Sequence, residues 1–202
     1  MDEVHKPHNL AAIVRTSDAV GIGHVHAIFP DNVRYTGRST ASGSKRWVKT
    51  HTHPDLETGI STVKNQGMQV IAAHFSDQAV DFRSIDYTQP TCLLVGSEKV
   101  GVSDQAAELS DQHVIIPMLG MVQSLNVSVA TALILYEAQR QRQLANMYGE
   151  CKIAKEEADL IIFSALHPSI KKFCDKHQLR YPLLDEQGDI NDEPWQQLRK
   201  SL

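Results

Sequence analysis

Cysteine is scarce: Cys92, Cys151 and Cys174 are the only three in 202 residues. They are widely separated, odd in number and form no CxxC pair, so neither a disulfide framework nor a thiolate zinc site is indicated, and a reducing cytosol suits the chain. Cys92 falls in an apolar run and reads as a small core residue. No apolar run approaches the length that crosses a bilayer, and the N-terminus lacks the basic and then apolar layout of a signal peptide, so a soluble, cytoplasmic protein with no membrane partner is expected. The nucleotide signatures are missing as well. Gly21-Ile22-Gly23 supplies only GxG, His26 stands where the last glycine belongs, and the segment follows a helix, which disfavours a nicotinamide-dependent oxidoreductase. The lack of a GxxxxGK(S/T) loop does the same for a P-loop hydrolase. His24 and His26, and again His51 and His53, place two rings on one side of an extended chain. No third ligand stands at a recognisable spacing, so they read as surface or satisfied histidines and no metal is expected.

A chain of this length with 42% hydrophobic residues supports one substantial core. Apolar, β-branched runs recur at His24 to Phe29, Met68 to Phe75, Thr91 to Gly96 and His113 to Ile116, with helix-compatible stretches between them. That alternation predicts an α/β fold with a mostly parallel sheet and helices on both faces. A helix follows Asn9, a candidate N-cap, and stops at Gly21 and Gly23. Further helices are expected over Glu57 to Gly67 and Asp104 to Ser110, and a long one over Ser128 to Asn146 with Asn126 or Ser128 as N-cap. Past Met147 the composition shifts. Ile153 to Phe163 and Ser169 to His177 read as amphipathic helices divided by Pro168, and an acidic tail begins at Asp185, so residues 1–148 are read as the main domain and 149–202 as a helical extension.

The formal net charge of -4 argues against nucleic-acid binding through overall charge. Local charge says otherwise. From Asn32 to Pro54 there is no acidic residue, while Arg34, Arg38, Lys45, Arg46 and Lys49 fall there among glycines and serines. By itself this is a solvated loop or a strip that lies along phosphates.

Three segments carry candidate chemistry. Ile116 to Ala130 is too apolar for a surface loop and too broken by Pro117 and Gly120 for one regular element. It passes a strand to a helix N-terminus, where free N–H groups suit an anionic ligand group and Ser124 and Asn126 add polar side chains, although both residues also read simply as helix caps. Gly96-Ser97-Glu98-Lys99-Val100-Gly101 leaves a buried strand at its carboxyl end, where ligands of open α/β sheets bind. Gly96 admits close approach there and Glu98 can hold a hydroxyl, an amine or an arginine, or be an ordinary surface carboxylate. Arg15, set in an apolar helix start, requires an anion, an acceptor or solvent.

In order and spacing, Asn9 to Thr16, Gly96 to Gly101 and Ile116 to Ala130 resemble motifs one, two and three of the SpoU RNA 2′-O-methyltransferases. The likeness runs from about Val4 to Tyr148. Within that family the basic segment ending Gly43-Ser44-Lys45-Arg46-Trp47 and the tail around Pro182 to Gly188 are most similar to the branch acting on guanosine 18 of tRNA. The resemblance implies an α/β methyltransferase closed by a C-terminal trefoil knot, which the usual rule on connections disfavours. It also implies a homodimer, S-adenosylmethionine against Ala73, Gly96, Ile116 and Leu125, and tRNA against the basic strip. Arg15 would act on the 2′-hydroxyl, with Asn9, Glu98, Ser124 and Asn126 holding the groups in register. Since an arginine pKa above about 12 hinders a true base role, orienting the hydroxyl or binding a phosphate is the equally physical account. Relatives that modify tRNA usually carry a further N-terminal helix ahead of motif one, so either RNA affinity here leans on the basic strip and the C-terminal helices, or the chain is part of a longer one. Methylation of ribosomal RNA or another tRNA nucleotide is the alternative within the class, and a non-catalytic RNA-binding or assembly factor the alternative outside it.

Overall fold

The computed structural model describes residues 1–2, 4, 6–28, 44, 47–97, 99–149 and 153–200. It separates into two compact units, Met1–Glu150 and Cys151–Leu202. The first runs α1 (Pro7–Ala19), β1 (His24–Ile28), β2 (Lys49–His53), α2 (Leu56–Lys64), β3 (Gln69–Ala73), β4 (Val80–Asp81), β5 (Thr91–Leu94), α3 (Asp104–Glu108), β6 (Gln112–Ile115) and α4 (Val127–Leu144).

The strands form a two-stranded sheet β1-β2 and a four-stranded sheet in the order β4-β6-β3-β5, and every pairing is parallel. Residues 1–2 connect them. Ile28 N–H donates to the Met1 carbonyl at 3.0 Å and Asp2 N–H to the Val95 carbonyl at 2.8 Å, just beyond β5. Alternation along β3 decides the layers, because successive side chains leave a strand on opposite faces. Val70 and Ala72 join Leu94 under α2 and α3, among Ile60, Val63 and Ala106. Ile71 turns the other way, with Tyr87 and Val114, onto Ile134 of α4. On that same side α1 packs against α4, and Leu10, Ile13 and Val14 bury with Val25 and Ala27 of β1. Helices therefore cover both faces, the α/β arrangement that the alternating runs predict.

Local signals account for most boundaries. Asp55 caps α2, accepting Thr58 N–H at 2.7 Å, and Ser103 caps α3, accepting from Ala106 N–H. Asn9 corrects the expectation at α1: Pro7 opens that helix after Lys6, and Asn9 lies inside the first turn, 2% exposed. Proline suits an opening position because its missing N–H has no intrahelical partner to lose, so the start moves forward of the polar residue. β2 and the two-residue β4 carry no apolar run and are visible only in the structure. Among the described residues no helix is long and apolar enough to cross a membrane.

The second unit holds α5 (Lys155–Leu166), α6 (Pro168–His177) and α7 (Glu193–Lys200), with Pro168 opening α6 after the break at His167. α7 lies in the tail, beyond the two helices expected from periodicity. Buried Asp192 organises the end of the chain. It accepts both terminal nitrogens of Arg180, the second at 2.8 Å, together with the N–H groups of Leu183 and Trp195 at 3.1 and 3.0 Å. The Arg180 guanidinium, helped by those N–H groups, holds this carboxyl far below its ordinary 3.8. A depressed folded-state pKa gives stability that is present above 3.8 and lost as the pH falls below it toward the folded value. An acid titration of helical circular dichroism is expected to show this loss. Asp192→Asn should lose helix content already at neutral pH and flatten the acid limb, whereas an unchanged limb would deny Asp192 the role.

Candidate active site

Motifs one and three meet where α1 crosses α4. Asn126 caps α4, its Oδ1 accepting the N–H and hydroxyl of Ser128 at 2.8 and 2.7 Å, while its Nδ2 donates to Oδ1 of buried Asn9 at 3.3 Å. One asparagine thus ends a loop, starts a helix and joins a second helix. Arg15 lies on the exposed side of α1, and Ser124 is exposed just before the cap.

The segment between β6 and α4 is unusual in both its polar and its apolar groups. Among the described residues, the main-chain groups of residues 117–125 have no backbone partner. Leu119 and Met121 are fully exposed and Val122 is 62% exposed. Free amides and carbonyls beside aliphatic side chains form the kind of wall that binds an adenine ring, with hydrogen bonds at its edge and apolar contact over its faces. These residues fit an adenosyl group. Ile116 and Leu125, at the ends of the segment, are half-buried, as is Ala73 at the end of β3, which packs into the cores on the α1 and α4 side.

The Gly96 turn is closed tightly. Ser97 and Gly101 exchange backbone hydrogen bonds at 2.9 Å each way, and Gly101 takes a φ of +79°. A Cβ on Gly96 would lie 1.9 Å from the Gly101 carbonyl and 2.1 Å from Val102 N. Only glycine lets the returning strand of the turn cross there. Asp2 secures the far end, accepting the N–H and hydroxyl of Ser103 at 3.0 and 2.8 Å. That carboxylate escapes sequence reasoning, because its partner is a hundred residues away and no short spacing announces it.

Of the expected site residues, Asn9 and Asn126 are bonded to each other, and Arg15 stands on the same helix as Asn9. Gly96, Ile116, Leu125, Ser124 and Ala73 lie on the carboxyl-end loops and strand ends of the four-stranded sheet. Glu98, Arg34, Arg38, Lys45 and Arg46 lie outside the described residues. Lys49 is exposed at the start of β2. No group of three or more His, Cys, Asp or Glu side chains among the described residues is arranged to hold a metal ion.

Residues 1–136 match the family described as SpoU rRNA Methylase, and residues 140–193 match the C-terminal region of SpoU rRNA methylases. The chain belongs to the SpoU methylase family. It is 50% identical over 198 residues to the tRNA (guanosine(18)-2′-O)-methyltransferase of Escherichia coli strain K12, covering 96% of this chain and 86% of that protein. The enzyme of the same description from Thermus thermophilus is 50% identical over 156 residues, 77% of this chain and 80% of that one. Among solved SpoU structures, the Aquifex aeolicus TrmH/SpoU tRNA modifying enzyme superposes with a TM-score of 0.71 at 39% identity, over 89% of this chain and 87% of that one. AviRb of Streptomyces viridochromogenes, solved in complex with the cofactor AdoMet, gives 0.64 at 29% identity over 71% and 59%. Motif order in this chain thus matches a family whose members share its fold.

Proposed function

We propose that this protein transfers the methyl group of S-adenosylmethionine to a ribose 2′-hydroxyl of tRNA, at guanosine 18 of the D-loop. The observation that carries the reading is the junction of Asn9 and Asn126, which joins the helix bearing Arg15 to the end of a loop suited to an adenosyl group. The named activity of relatives at 50% identity over 96% of the chain supports the same substrate.

S-adenosylmethionine, when bound, supplies a methyl group on a sulfonium sulfur, which is released as a neutral thioether as the new C–O bond forms. Backbone groups of Gly96, Ile116 and Leu125, with Ala73 beside them, would hold it. Arg15 orients the 2′-hydroxyl or a neighbouring phosphate through its planar fork of donors. Asn9, Glu98, Ser124 and Asn126 keep Arg15, ribose and methyl donor in line. Alignment of oxygen and methyl contributes much of the rate. The hydroxyl proton leaves to solvent or to a neighbouring acceptor.

Arg34, Arg38, Lys45, Arg46 and Lys49 contact tRNA phosphates, an acid-free run in an otherwise acidic chain. Val129, Leu133 and Tyr136 follow one another along one exposed face of α4 at helical spacing, 47, 43 and 51% exposed, and this apolar stripe favours a homodimer. A trefoil knot formed by the passage from β6 through residues 116–126 to α4, a division into residues 1–148 and 149–202, and a cytoplasmic location complete the reading.

The deciding experiment is transfer of labelled methyl from S-adenosylmethionine to an unmodified tRNA transcript, followed by digestion and identification of the labelled nucleotide. Label in 2′-O-methylguanosine from the D-loop is expected. Label elsewhere in tRNA, or only in ribosomal RNA, would move the substrate. A folded protein that binds RNA without transferring label would be an assembly factor.

A further inference from the structure

Four imidazoles on β1 and β2 form a ladder that the site above does not use. Parallel pairing places His26 opposite His51 and Ile28 opposite His53. The rings follow in the order His24, His51, His26, His53, with centroids 5.2, 4.8 and 5.1 Å apart and planes within 24, 16 and 12° of parallel. Their nitrogens meet in two pairs, His24 Nδ1 with His51 Nε2 at 2.9 Å and His26 Nδ1 with His53 Nε2 at 2.8 Å. Each pair shares one hydrogen, so one ring donates and the other accepts. In a neutral pair one outer nitrogen then carries a hydrogen and the other a bare lone pair. A proton added to that lone pair leaves the inner bond intact and makes it charge-assisted, whereas a second would set two N–H groups face to face. Each pair therefore has room for one proton.

The pairs differ in their surroundings. Burial, and then the neighbouring rings His51 and His53, push His26 of the inner pair down to about 4. That pair is a fixed rung seated over α2, where a Cβ on Gly59 would meet the His53 ring at 3.5 Å. The outer pair is the open one. His24 is exposed, and so is Lys49, its partner in strand register. Among the described residues, the charged groups around the ladder are Lys49 on β2, the α-amino group of Met1 near His26, and Asp55 at the start of α2 near His53. The charges that the described residues bring to His51 come from Lys49 and the other rings, so a proton on the outer pair has like charge beside it. The ligand that complements this edge is an anion.

We infer that His24, His51 and Lys49 form a binding site for an RNA phosphodiester, and that the outer pair takes one proton from solvent as the phosphate arrives. This rests on the RNA substrate proposed above and adds a contact outside its site. The phosphate replaces like-charge repulsion with attraction, so the pair binds its proton more tightly in the complex than in the free protein. By linkage, affinity is higher at low pH and declines as pH rises through the value in the complex.

Binding of an unmodified tRNA transcript at fixed ionic strength tests this, between about pH 6.5 and about pH 8, a range in which histidine changes charge. The wild type is expected to bind roughly three- to tenfold tighter at the lower pH, the change that uptake of up to one proton produces. His24→Gln retains hydrogen-bonding capacity without a titrating nitrogen, and is expected to bind with an affinity nearly independent of pH. Binding heats in buffers of different ionisation enthalpy read the proton uptake on the wild type itself, so the test survives a variant that fails to fold. Equal pH slopes in the two proteins, or no proton uptake, would overturn the ladder's role and leave the methyltransferase reading standing. No tRNA binding at either pH would overturn both.

Discussion

Arg15→Ala is expected to lower methyl transfer to tRNA by about a hundredfold or more while leaving S-adenosylmethionine affinity within about twofold, the pattern of a group that positions the acceptor. Single-turnover transfer at saturating tRNA measures the first quantity and calorimetry the second. The fold should survive, because Arg15 lies on the exposed side of α1 and alanine is the better helix former. Arg15→Lys separates charge from geometry. Lysine keeps the positive charge and loses the planar fork, so little recovery of rate points to bidentate orientation and full recovery to simple phosphate attraction. Normal transfer by the alanine variant would remove Arg15 from the mechanism.

Gly96→Ala is expected to have the largest effect on stability of any glycine-to-alanine change among the described residues of the first unit. Its new carbon would sit 1.9 Å from the Gly101 carbonyl, so the backbone of the turn has to move by more than an ångström. That displacement opens the paired bonds between Ser97 and Gly101 and loosens the link through Val102 to Ser103 and Asp2. A cost of about 3 kcal/mol, toward the upper end for overpacking, lowers the melting temperature by roughly 6–12 °C in a protein of this size. Gly101→Ala is the informative control. Its Cβ meets nothing within 4 Å, so only the strain of a φ of +79° remains, at about 1 kcal/mol. Equal melting temperatures for the two variants would show that the turn adapts and that the close crossing at Gly96 is unimportant.

The contrast between these glycines shows what a sequence conceals. Both stand in one short motif, and their spacing marks a turn after a strand, but nothing in the spacing tells which one accommodates a crossing chain. The same limit applies to β2. Lys49 to His53 alternates charged and polar residues and reads as part of a basic loop, yet it becomes a strand because β1 offers a parallel partner and α2 a surface to pack against. Asn9 shows the converse error. Its type suits a helix cap, and it is instead buried inside the first turn, where it meets Asn126, far along the chain.

The α/β class, the long helix with Asn126 as one of two candidate caps, the break at Pro168 and membership of a methylase family by motif order are all legible along the chain. Those follow from local periodicity, local capping chemistry and residues close together in the chain. The meeting of α1 with α4, the joining of two sheets by residues 1–2 and the single ladder of four histidines exist only once the chain is folded. Such contacts are settled by burial and strand pairing between segments tens of residues apart, where a polar side chain's neighbour depends on how the sheet stacks its layers.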